Sequence, residues 1–93
     1  MKKELDQLIE KAAAVLKEYG AHEVYLFGSA ANGTISEYSD VDMAVSGLPP
    51  EKFFYAMSQA HHIIGHSLDL VDLDVESPFT NYLKKKGKLI RVA

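Results

Sequence analysis

Two short runs of this sequence carry residue types suited to chemistry. They are Phe27-Gly28-Ser29 and, ten residues later, Ser39-Asp40-Val41-Asp42. The first puts a Gly-Ser turn at the end of the apolar run Val24 to Phe27. Glycine lets backbone N–H groups come close to a ligand, and successive N–H groups in a turn make a nest for an anion. The second puts two carboxylates, Asp40 and Asp42, at the head of the apolar run Val41 to Val45. Side chains alternate along a strand, so both carboxylates face one way while Val41 and Met43 face the other. Two like charges on one face repel unless a cation sits between them. Carboxylate oxygens are hard ligands, suited to Mg²⁺ that also grips phosphates. Together the two runs describe a nucleoside triphosphate site, one half for the phosphates and the other for the metal.

The elements that must position these residues follow from periodicity. Leu5, Leu8, Ile9, Ala12, Val15, Leu16 and Tyr19 recur at helical spacing, and Gly20 stops that helix. Val24 to Phe27 reads as a strand, and Ala30 to Ser39 as a short helical turn and then a loop. Val41 to Val45 is a second strand. Its Asp42 is costly in an apolar stretch unless the carboxylate has a partner. Pro50 opens a helix with Phe53, Phe54, Met57, Ala60 and Ile64 on its buried side, closed by Gly65. Ser67 to Leu73 is a third strand, Ser77-Pro78 starts a last helix running to Lys86 with Gly87 as its stop, and Lys88 to Val92 adds a short final strand. The order α-β-(turn)-β-α-β-α-β predicts an α/β or α+β fold, one small mixed sheet of about four strands with helices packed on it. The link between the first two strands is too short for a crossover helix, so those strands should be antiparallel neighbours.

Composition narrows the function. The 93 residues make one small domain over residues 1–93, 47% hydrophobic and 25% charged, with a net charge of −3. An acidic balance argues against broad nucleic-acid binding, which needs a basic face. There is no cysteine, so disulfides and thiolate metal sites are excluded. No apolar run reaches membrane-spanning length, no signal-peptide core follows Met1, and the expected compartment is the cytoplasm.

Gly28-Ser29, ten intervening residues, then Asp40-Val41-Asp42 resembles the signature of the DNA polymerase β-like nucleotidyltransferase superfamily. The short length and the run Phe27-Gly28-Ser29-Ala30-Ala31-Asn32-Gly33 are similar to its minimal nucleotidyltransferase branch. The resemblance implies the nucleotidyltransferase fold and a third carboxylate on a later strand. Asp69, Asp72 and Asp74 are the candidates. Asp69 and Asp72 have opposite parity and cannot both face the site. Asp69 sits inside the apolar run and is favoured; Asp72 and Asp74 read as solvated residues at the strand end. The resemblance further implies a phosphate-binding role for Gly28, Ser29, Asn32 and Gly33. Many members have a basic residue where this chain has the neutral amide of Asn32.

From the same resemblance follow two Mg²⁺ ions with ATP as substrate. The activity implied is transfer of a nucleoside monophosphate to a hydroxyl acceptor, with pyrophosphate expelled. Minimal nucleotidyltransferases look like the antitoxin half of a two-protein module, whose partners are all-helical HEPN proteins modified by adenylylation. A homodimer or hetero-oligomer is expected, because so short a chain buries a modest core. The rival class is a non-catalytic module that masks such a partner and holds nucleotide only as a ligand. A polymerase or tRNA-tailing fragment is disfavoured by the acidic balance. His62 and His66 have a zinc-chelating spacing, but Gly65 between them ends the helix, so solvated histidines are the better reading. Lys84-Lys85-Lys86 complements a helix dipole, and Tyr55 lies on the face away from the core.

Overall fold

The computed structural model describes residues 2–28, 31, 40–65 and 67–93. Their elements are α1 (Lys2–Glu18), β1 (Glu23–Phe27), β2 (Val41–Ser46), α2 (Pro50–Ile64), β3 (Leu68–Asp72), α3 (Pro78–Lys85) and β4 (Ile90–Arg91). They assemble into an α+β fold, a four-stranded sheet in the order β3-β2-β1-β4. As expected, β1 and β2 are antiparallel neighbours. β2 and β3 are parallel, joined through α2, and β4 returns antiparallel to the far side of β1. Of the segment 30–39, read as a helical turn and loop, only Ala31 lies among the described residues.

The helix ends obey their terminal residues. Gly20 takes φ 120° after α1, and the Ala21 N–H reaches back to the Leu16 carbonyl at 3.0 Å. This closes the last turn with the bond pattern of a Schellman motif. α3 starts on a reciprocal capping box. The Ser77 side chain accepts from the Thr80 N–H at 3.1 Å, and the Thr80 hydroxyl accepts from the Ser77 N–H at 3.0 Å.

The main core lies on one face of the sheet. Leu5, Ile9, Ala12 and Leu16 of α1 and Ala56, Ala60 and Ile64 of α2 cover Val24, Val41, Met43, Val45 and Leu70. Met43 is fully buried. Its truncation to alanine should cost about 2–5 kcal/mol, so β2 is held firmly from this side. One expectation fails here. Phe54 is 73% exposed, not buried with Phe53 and Met57. The buried stripe runs through Phe53, Ala56, Met57, Ala60, Ile63 and Ile64. Phe54 falls a hundred degrees of helix rotation beyond Phe53, outside that stripe.

Among the described residues, the opposite face is covered only in part. There α3 seats Leu83 on Phe27, Ala44 and Leu73, with Tyr25, Val71 and Leu89 at the margin.

Candidate active site

The pairing register builds a row of side chains across the sheet. Phe27 is opposite Asp42, and Asp42 is opposite Asp69. Neighbouring strands lie about 4.8 Å apart, so Asp42 and Asp69 stand side by side on one face. That face also carries Tyr25, Ala44 and Val71 and is the one α3 partly covers. Asp40 precedes the first residue of β2 and is exposed. The three carboxylates thus collect where β1 ends and β2 and β3 begin.

Their charges are felt at Asp42. Burial pushes its carboxyl above the ordinary aspartate range, and the negative charges of Asp69 and then Asp40 push the same way. Among the described residues the ion pair present is Arg91 to Glu23, at the other end of β1, so none neutralises this group. Among them also, no three His, Cys, Asp or Glu side chains stand at metal-holding distance. In donor type the set fits a hard divalent cation: oxygen ligands and a half-buried anion with no ion-pair partner among the described residues.

Gly28 is shaped to this cluster. Its φ is +62°, and a β-carbon there would collide with Asp42 Oδ2 and lie 3.3 Å from Cγ. Two independent constraints, backbone sign and space, therefore call for glycine. Ser29, Asn32 and Gly33, the other candidate phosphate contacts, lie outside the described residues.

Asp72 faces away from the site, opposite Val45. It and Asp74 are not merely solvated, as the sequence suggested. Asp72 Oδ1 accepts the Asp74 N–H at 2.9 Å, and Asp74 Oδ2 accepts the Gly47 N–H at 2.7 Å. They tie the turn after β3 to the turn after β2. No sequence period marks this pairing, because it joins residues 27 positions apart. His62 is exposed on α2, Gly65 ends that helix, and His66 lies outside the described residues. Lys84 and Lys85 occupy the last turn of α3, as expected.

Sequence reading passed over two features of the site face. Glu23 belongs to β1, and its carboxylate accepts from the Tyr25 hydroxyl at 2.9 Å and the Ser46 hydroxyl at 3.2 Å while pairing with Arg91 of β4 at 3.3 Å. The alternation Glu23, Tyr25, Phe27 is the signal that could have shown it. Phe79 of α3 sets its ring edge-on against Phe27, with centroids 6.0 Å apart.

The family model for polymerase beta, nucleotidyltransferase, matches residues 10–92. This chain belongs to that family. Among solved structures, this nucleotidyltransferase is similar to a toxin–antitoxin crystallised with AMP-PNP. The identity is 26% and the TM-score 0.68, over 86% of this chain and 70% of that one. A toxin–antitoxin MntA-HpeT variant, with two aspartates two positions apart changed to glutamate, matches at 25% identity and a TM-score of 0.67. It covers 85% of this chain and 68% of that one. A structure described as a minimal nucleotidyltransferase shares the fold at 24% identity and a TM-score of 0.68, over 90% of this chain and 93% of that one. No curated protein matches this chain. No helix among the described residues is long and apolar enough to cross a membrane.

Proposed function

We propose that this chain is a Mg²⁺-dependent transferase that moves AMP from ATP onto a hydroxyl group, a tyrosine or another, of a helical HEPN-type partner protein in the cytoplasm. The observation that carries the reading is the row Asp42–Asp69 with Asp40 beside it, facing Gly28. Like charges gathered around the half-buried Asp42 lower stability, so a ligand that needs them is the physical reason to keep them. The similarity to a toxin–antitoxin with AMP-PNP supports both the nucleotide and the kind of partner.

In this reading the N–H groups of the Gly28-Ser29 turn and the Ser29 hydroxyl hold the β- and γ-phosphates, with Asn32 and Gly33 alongside. Asp40 and Asp42 would hold two Mg²⁺ ions, and Asp69 the second of them. When bound, such ions neutralise the triphosphate and lower the pKa of the acceptor hydroxyl. Asp69 takes the proton of that hydroxyl. The hydroxyl oxygen forms its bond to the α-phosphorus as the bond to pyrophosphate breaks. The chain's contribution is position and charge, so each carboxylate matters.

The test is pyrophosphate release from ATP with Mg²⁺ and the protein encoded beside this one. Wild type should release it, and EDTA or Asp42→Asn should stop it. A tight complex with no pyrophosphate would instead make the chain a masking module.

A further inference from the structure

We infer that Phe79 is the base-stacking surface of the nucleotide site, an inference that rests on the ATP-dependent reading above. α3 is the described helix on the carboxylate face of the sheet. Phe79, in its first turn, packs on Phe27 at 65° between the rings. Phe27 is buried, adjoins Gly28 in the chain and stands opposite Asp42. Phe79 is thus one side chain away from the carboxylate row and the Gly28 turn.

Phe79 remains 49% exposed although its edge contact fixes it. A large apolar ring half in water, packed edge-on beside the proposed phosphate and metal site, offers a π-face to a flat ligand. The backbone on either side of it is anchored. Pro78 sets the first helical position, and Thr80 is buried. The Thr80 hydroxyl donates to the Val75 carbonyl at 2.7 Å, beyond its part in the capping box. The helix start that carries the ring is therefore ordered before any ligand arrives, which lowers the ordering cost of binding. Every base has a π-face, so such a surface binds purines with little choice between them.

Isothermal titration with ATP, GTP and inorganic tripolyphosphate, each with Mg²⁺, tests this. Phe79→Ala should bind ATP and GTP roughly 5- to 100-fold more weakly, as base–aromatic stacking predicts, and tripolyphosphate as wild type does. Phe79→Leu, which keeps apolar packing on Phe27, should show the same selective loss, and Phe79→Tyr should restore binding. Unchanged ATP binding in Phe79→Ala would overturn the inference and leave the ring to a protein partner. Equal loss of ATP and tripolyphosphate would overturn it too, as a general disturbance of the site. Wild type that binds neither would overturn the nucleotide reading itself, and this inference with it.

Discussion

Gly28 and Asp42 compete for one volume: a β-carbon on Gly28 would fall against the Asp42 carboxylate Oδ2, 3.3 Å from its Cγ. The turn that would receive phosphates thus lies directly against the carboxylate proposed to bind metal. Gly28→Ala should cost about 1 kcal/mol or more from its positive φ alone, measured by urea unfolding. The steric part separates in a double-mutant cycle. Gly28→Ala should be less damaging in an Asp42→Ala background, where the carboxylate is gone. Strict additivity would mean the two residues do not press on each other.

Asp42 should be a functional group that lowers stability. Its carboxyl is held above the ordinary range, so folding disfavours the charged form. The sign follows: the penalty is absent below the ordinary aspartate pKa and grows as pH rises through the raised value. In chelator at pH 7, Asp42→Asn should therefore raise Tm, while with Mg²⁺ present it should abolish transfer. The gain should shrink as pH falls. Added Mg²⁺ should raise the wild-type Tm more than that of the variant.

The two strand-three aspartates should behave oppositely. Asp69→Asn should lower the transfer rate roughly 10²–10³-fold, the scale for removing one preorganised charge-stabilising group. Asp72→Asn should leave the rate nearly unchanged and cost about 1 kcal/mol at most, for its one bond to the Asp74 N–H. Steady-state rates of the two variants, run side by side, check this.

Glu23 anchors β4, and its carboxyl is held below the ordinary range by the Tyr25 hydroxyl first, then the Ser46 hydroxyl and the Arg91 guanidinium. A depressed carboxylate contributes stability above its unfolded pKa and loses it as pH falls through the folded value. Wild type should be slightly more stable than Glu23→Gln at pH 7, since exposed pairs contribute little. The difference should begin to shrink as pH falls through the ordinary glutamate range and vanish only below the depressed folded value. Thermal melts across that range would show it.

Much of this architecture is legible in local pattern. The helix stops at Gly20 and Gly65, the Ser77-Pro78 start of α3 and the antiparallel β1–β2 pair follow from spacing and terminal residues. Parity alone sent Asp69 and Asp72 to opposite faces, and the register then set Asp69 beside Asp42. What stayed hidden depends on tertiary contact. Phe54 is apolar yet lies outside the α2 stripe, because helix phase overrides residue type. The Asp74–Gly47 bond and the Phe79–Phe27 contact join residues far apart in sequence, and no local period announces them.

The most direct measurement of the proposed chemistry uses ATP labelled at the α-phosphate or at the γ-phosphate, with Mg²⁺ and the helical partner. The expected result is α-label on the partner and γ-label in free pyrophosphate, both lost in Asp42→Asn. Label on the partner from the γ-position, or from neither position while the two proteins bind tightly, would contradict nucleotidyl transfer by this chain.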